Sequence, residues 1–211
     1  MVDRDFYEAI KKGTTTIGIV CSDGVAMGSD ARATMDTFIS SSEAVKIHRI
    51  NDGLAMTIAG GVGDAEYLVK MIRLQDELYS MEEKKSLTPT SATSILSIIL
   101  QENKMFPFLV QLVLGGINKN AYEIYNIDPV GGYTKESRFT ATGSGSLTAL
   151  GYIEGIYDPS MTVQEAAKHV AKALRIAMKR DSATGDGTRV VTITKKGFKE
   201  YTKEEIDKLS K

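Results

Sequence analysis

Gly13-Thr14-Thr15-Thr16-Ile17-Gly18-Ile19-Val20 joins a small-residue junction to an alternating apolar run, the pattern of a strand. The run also reads as a buried cleavage junction that would leave a threonine as a new chain start. A threonine hydroxyl is a poor nucleophile, but cutting before Thr14 would put a free α-amino group within reach of that hydroxyl. An unperturbed α-amino group titrates near about 7.7–8.0, so at neutral pH part of it can accept the hydroxyl proton. Threonine-rich strands are common, so these letters alone do not separate a catalyst from an ordinary strand.

The chain has 211 residues, the length of one large domain. Its formal net charge of -1, with both signs interspersed, offers no basic field for a phosphate backbone, so nucleic acid is not an expected partner. The start, Met1-Val2-Asp3-Arg4-Asp5, is charged, and no apolar run approaches the roughly 20 residues that span a bilayer. The expected location is the cytoplasm. The lone Cys21 reads as a small buried hydrophobe. No metal or cofactor is expected.

Met1 to Lys12, ending in Lys11-Lys12-Gly13, carries charge on both sides of a few apolar residues and reads as a pro-segment. Short strands are expected over Thr14 to Cys21, Val25 to Asp30, Ala44 to Ile50 and Leu54 to Ala59. The turns Ser22-Asp23-Gly24 and Asn51-Asp52-Gly53 join them in pairs. After Gly60-Gly61-Val62-Gly63 the period changes, and Leu68, Met71, Ile72, Leu78 and Tyr79 predict a long helix with Asp64 near its start. Thr88-Pro89 opens a second helix as N-cap and first residue, with Ile95, Ile98, Ile99 and Leu100 on its apolar side. Phe108 to Leu114 reads as a strand closing at Gly115-Gly116, and Ala121 to Ile127 as its neighbour across Asn118-Lys119-Asn120. Thr162 to Arg180 is a packed helix with Ala166, Val170, Ala173, Leu174, Ala177 and Met178 on one stripe. A hairpin of Arg189 to Thr194 and Phe198 to Tyr201 around Lys195-Lys196-Gly197, and a charged helix, complete the chain. This order predicts a layered α+β fold with helices covering packed sheets.

Several separated motifs carry a resemblance: Gly13-Thr14-Thr15-Thr16, Ser29-Asp30-Ala31-Arg32-Ala33, Lys46, Met56-Thr57-Ile58-Ala59-Gly60, Val62-Gly63-Asp64-Ala65, Met105-Phe106-Pro107-Phe108, Gly115-Gly116, Thr142-Gly143-Ser144-Gly145-Ser146 and Arg180-Asp181-Ser182-Ala183. In this order the chain resembles the archaeal-type β subunits of the proteasome, within the N-terminal-nucleophile hydrolases, from Gly13 to about Ile193. The resemblance implies a four-layer αββα sandwich of two antiparallel sheets. It also implies a self-removed pro-segment at 1–13, a peptidase domain at 14–211 and a cut between Gly13 and Thr14. Numbering from Met1 is then expected to be that of the precursor.

By that resemblance Thr14 is the nucleophile and its freed amine the proton acceptor. Asp30 and Lys46 are the supporting charged pair, the alternative for which is a surface ion pair of little worth. Gly60 supplies an oxyanion donor where strand turns to helix, a place where a backbone N–H can be left free. Ser144 hydrogen-bonds the nucleophile's amino group, and Asp181 and Thr184 complete that network. Thr184 stands where serine is common in the family, which keeps a hydroxyl and adds a methyl. Leu147 in place of a frequent proline, and Gly185-Asp186-Gly187, are further departures. The Thr142 to Ser146 loop lacks the lysine and spacing of a phosphate cradle.

The family places Ala33, Ala44, His48, Ile58, Val62 and Glu66 around the pocket for the residue before the cut. Their small and apolar majority implies a chymotrypsin-like preference. His48 reads as pocket wall or satisfied strand residue rather than general base, since nothing pairs it with a nucleophile, and His169, beside Lys168 and Lys172, as a solvated or interface residue. The implied partners are a seven-membered β ring stacked on a second β ring, outer α rings, a regulatory ATPase and unfolded polypeptides. A noncatalytic ring subunit and a small-molecule amidase of the same superfamily are the competing readings. An outer α subunit is disfavoured, because it lacks the processed threonine.

Overall fold

The computed structural model describes residues 13–35 and 37–209. The expected pro-segment, apart from Gly13, lies outside the described residues. The first sheet is antiparallel and has the order β10-β1-β2-β11-β12, from β1 (Thr15–Val20), β2 (Gly24–Asp30), β10 (Phe139–Gly143), β11 (Thr188–Thr194) and β12 (Gly197–Glu200). The second, also antiparallel, runs β5-β6-β7-β8-β9, from β5 (Ile47–Asn51), β6 (Leu54–Gly60), β7 (Val110–Asn118), β8 (Ala121–Ile127) and β9 (Tyr133–Glu136).

The two-residue period of the strands divides their side chains between layers. Ile17, Ile19 and Ala26 face α3 (Ser146–Glu154) and α4 (Val163–Met178), packing on Ile153, Val170 and Leu174. Val25 and Met27 face the second sheet, meeting Ala55, Val113 and Ile124. On that sheet's far side, Met56, Leu112 and Leu114 lie under α1 (Val62–Glu83) and α2 (Pro89–Glu102), with Leu68, Ile72, Leu96 and Leu100. The result is helices, sheet, sheet, helices: the expected αββα sandwich.

Local signals set several boundaries. Thr88 caps α2 in a reciprocal box with Ser91, and Thr162 caps α4 in the same way with Glu165, which stops two orphan N–H groups at each helix start from being left unpaired. Four expectations need correction. The run Phe108 to Leu114 does not close at Gly115-Gly116; β7 continues to Asn118, because backbone pairing to Ala55 and Leu54 needs no side chain. At Gly116 a Cβ would stand 2.1 Å from the Gly53 carbonyl oxygen, so glycine there permits a close approach and does not end the strand. The strand expected from Ala44 starts at Ile47, leaving Lys46 just ahead of it. On the helices, Leu78, Tyr79 and Ile98 are exposed, and the buried stripe of α2 is Ala92, Leu96 and Leu100, four residues apart.

A two-stranded hairpin, β3 (Ala33–Met35) with β4 (Phe38–Ser41), was not signalled by periodicity, nor were β9, β10 and α3. The charged terminal helix is α5 (Lys203–Leu209).

Candidate active site

Thr14 immediately precedes β1 and is 5% exposed. Thr16, two residues on, meets Thr57 of the second sheet, its hydroxyl accepting from Thr57 Oγ1 at 3.1 Å. The junction itself bends: Gly13 has φ +91°, a left-handed backbone that glycine adopts without steric cost. Thr14 Oγ1 donates to the Gly13 carbonyl oxygen at 2.5 Å. The peptide bond between the two is intact here, so Thr14 nitrogen is an amide.

Lys46 Nζ is the second donor to that carbonyl, at 3.1 Å. It also bonds Asp30 Oδ1 at 2.8 Å and the Arg32 carbonyl. Asp30 ends β2 and is fully buried, yet its carboxylate is well satisfied. Oδ1 accepts from Thr15 N and Lys46, and Oδ2 from Arg32 N at 3.1 Å and Gly185 N at 3.0 Å. A buried ion pair persists only when such bonds offset the loss of water. The side chains are 6% and 0% exposed, so this is not a surface pair of little worth. Burial pushes the Lys46 ammonium below its ordinary value, and Asp30 pulls it back up.

On the opposite side of the threonine run, Ser144 Oγ lies 2.5 Å from Asp181 Oδ2 and 3.3 Å from the Thr14 carbonyl oxygen. Thr184 Oγ1 is likewise 2.5 Å from Asp181 Oδ2, and 2.7 Å from Thr15 Oγ1. Ser144 thus meets the carbonyl end of Thr14 rather than its nitrogen. The extra methyl of Thr184 fits with the residue 1% exposed. Leu147 is 81% exposed on the first turn of α3 and leaves this network untouched.

Gly60 ends β6 with φ +118°, and Gly61 follows as the residue before α1, its N–H held by the Leu109 carbonyl. Gly13, Thr14, Lys46 and Gly60 share a cavity of about 410 Å³ with Ala33, Ala44, His48, Ile58, Val62 and Glu66. All six residues expected around a side-chain pocket therefore line one space beside Thr14. Its other walls, Thr34, Ser40, Ser41 and Val45, come largely from the hairpin that periodicity did not signal. His48 is half-buried with Nε2 unpaired among the described residues, and burial lowers its pKa. His169 is half-buried on α4, 2.9 Å from the Tyr152 hydroxyl. Cys21 is buried, its thiol pushed up to about 12. Among the described residues no cluster of His, Cys, Asp and Glu could hold a metal, and no helix is long and apolar enough to cross a membrane.

Two residues with no role in the sequence reading join the site. Arg32 lies in the Ser29-Asp30-Ala31-Arg32-Ala33 motif, from which the resemblance implies a role for Asp30 and Ala33 alone. The Gly185 N–H could not have been found, since a backbone donor has no letter of its own.

Over residues 10–193 the chain matches the family described as Proteasome subunit. The chain belongs to the proteasome subunit family. It is 46% identical over 202 residues to the proteasome subunit beta of Archaeoglobus fulgidus, covering 96% of this chain and 95% of that one. To the proteasome subunit beta of Methanococcus aeolicus it is 43% identical over 211 residues, covering 100% of this chain and 97% of the other. That of Methanohalophilus mahii is 47% identical over 198 residues, with 94% of each chain covered. The match to proteasome β subunits is thus close to full length, and the sandwich described above is the fold of a proteasome subunit.

Proposed function

We propose that this chain is a catalytic β subunit of the proteasome core, an N-terminal-threonine endopeptidase made by its own cleavage between Gly13 and Thr14. The observation that carries the reading is the convergence of Thr14 Oγ1 and Lys46 Nζ on the Gly13 carbonyl oxygen, with Asp30 buried behind the lysine. Residues 1–13 are then the pro-segment and 14–211 the peptidase domain.

In the precursor the Thr14 hydroxyl attacks the Gly13 carbonyl carbon while Lys46 polarises its oxygen. The acyl group passes from nitrogen to Oγ, and water hydrolyses the resulting ester, releasing the Gly13 carboxylate and the free Thr14 amine. The mature amine takes the hydroxyl proton as Oγ attacks a substrate peptide carbonyl. It returns that proton to the leaving amine and then activates water for deacylation. Gly60 N–H helps hold the oxyanion. Asp30 and Lys46 keep a fixed positive charge near Thr14, which favours the unprotonated amine. Ser144, Asp181 and Thr184 hold the threonine in register.

The cavity beside Thr14, walled by Ala33, Ala44, Ile58 and Val62 with His48 and Glu66, is the pocket for the residue before the cut and suits large hydrophobic side chains. Such a peptidase calls for confinement in stacked seven-membered β rings between α rings, in the cytoplasm, with an ATPase delivering unfolded chains.

The test is mass spectrometry of particles assembled with α subunits. Thr14→Ala is expected to retain residues 1–13 and to have no peptidase activity. Normal self-processing of that variant would refute the proposal.

A further inference from the structure

The loop that carries Asp181 and Thr184 also reaches the Asp30–Lys46 pair, and one side chain ties it there. Arg32 Nε donates to Asp186 Oδ2 at 2.8 Å and Nη2 donates to Oδ1 at 3.0 Å, while Nη1 donates to the Ser182 carbonyl at 2.6 Å. Between those anchors, Gly185 N donates to Asp30 Oδ2 and the Gly185 carbonyl accepts from Ala31 N. The backbone of Arg32 meanwhile donates to Asp30 and accepts from Lys46. Arg32 therefore touches both members of the buried pair with its main chain and holds the opposing loop with its side chain.

Two details indicate that the loop is fixed by this fork. Asp186 has φ +64°, a left-handed conformation that is uncommon in L-residues other than Asn and Asp. A Cβ on Gly185 would stand 2.4 Å from Arg32 Cζ, so the guanidinium lies directly against the loop backbone. The pair is 21% and 22% exposed, where an ion pair adds little stability, but its two parallel bonds are geometrically exacting.

We propose that Arg32 and Asp186 form a positioning pair that holds the Gly185 N–H on Asp30 and the Arg32 carbonyl on Lys46, and so sets the charge balance felt by the Thr14 amine. The inference rests on the threonine-peptidase reading above. Lys46 touches Asp30 and the Arg32 backbone at the end of β2, and the charges of Arg32 and, from the loop, Asp181 act on it, while Asp186 in turn feels Lys46. Neutralising Asp186 removes the ion-pair partner of Arg32 and one nearby negative charge, and the more positive surroundings disfavour the protonated amine. The acid limb of kcat then moves to lower pH.

The experiment uses assembled particles whose Gly13–Thr14 cleavage is verified by mass spectrometry, assayed with a fluorogenic peptide across pH. Asp186→Asn keeps the shape and the tolerance of left-handed backbone. It is expected to lower kcat about tenfold with KM within about twofold, and to shift the acid limb down by about half a pH unit. Gly185→Ala displaces the guanidinium but keeps both charges; it is expected to lower kcat to a similar extent with the limb unmoved. Parental kcat in either variant, or a loss in Asp186→Asn with an unmoved limb, overturns the proposal. If Asp186→Asn does not assemble, the kcat of Gly185→Ala decides alone. Failure of the underlying reading is distinguishable, because it appears as activity in Thr14→Ala particles.

Discussion

Lys46 Nζ lies 3.1 Å from the carbonyl oxygen of Gly13, next to Thr14, while held by a carboxylate that is fully buried. On the proposed reading, one ammonium polarises the Gly13–Thr14 junction before cleavage and biases the Thr14 amine afterwards. Lys46→Ala would leave Asp30 as an uncompensated buried charge, a change that typically costs about 3–5 kcal/mol. Expected outcomes are loss of peptide turnover and a lowered melting temperature with rings still formed. Near-normal hydrolysis would remove Lys46 from the mechanism.

The pH dependence follows from the same burial. The folded chain releases the Lys46 proton below the ordinary lysine value of about 10.4, so between the native pKa and that value the unfolded state binds more protons. The destabilisation from burying this charge is fully present below the native pKa and is relieved as pH rises through that window. If the charged lysine supports catalysis, kcat should be bell-shaped with an alkaline midpoint below about 10.4. A plateau continuing past that value in a pH–rate series counts against it.

Gly13 is constrained twice, by φ +91° and by Thr34, whose Oγ1 would lie 2.4 Å from a Cβ there. Left-handed backbone costs a non-glycine residue roughly 1–2 kcal/mol. Gly13→Ala is expected to slow self-cleavage without affecting a chain already started at Thr14. Adding Thr34→Ala should restore part of the rate, as measured by intact mass over time. Equal rates in all three precursors would show that the bend is incidental.

Thr184 donates to Asp181 and meets Thr15 through the same hydroxyl. Thr184→Val keeps the volume and removes the hydroxyl, leaving buried oxygens short of a partner at a cost of about 1–3 kcal/mol. Turnover should fall roughly tenfold or more on that scale. Thr184→Ser should stay near the parent, and a dead serine variant would point to the methyl instead.

Much of the architecture was legible as letters. The Asp-Gly turn after β1, the Thr88-Pro89 and Thr162 helix starts and the alternating strands fix local conformation through short-range sterics and hydrogen bonds, which act wherever the residues stand in a fold. The motif order likewise named Thr14, Asp30, Lys46, Gly60, Ser144, Asp181 and Thr184, residues that the structure gathers around one junction. The β3–β4 hairpin was silent because it is short and mostly exposed, so no burial imprints a period on it. Leu78 and Ile98 misled for the converse reason: apolar spacing marks a helix face but not whether this chain covers it.

By itself, the sequence determined most of the longer strands and helices and, through the order of its motifs, a resemblance that carried the expected layers and a roster of candidate site residues. Only the tertiary structure decided that Asp30 and Lys46 are buried, that the hairpin walls a cavity beside Thr14, and that Gly185 N–H and Arg32 meet the charged pair. Burial and backbone donors depend on what distant segments bring together, and no local pattern of side chains encodes them.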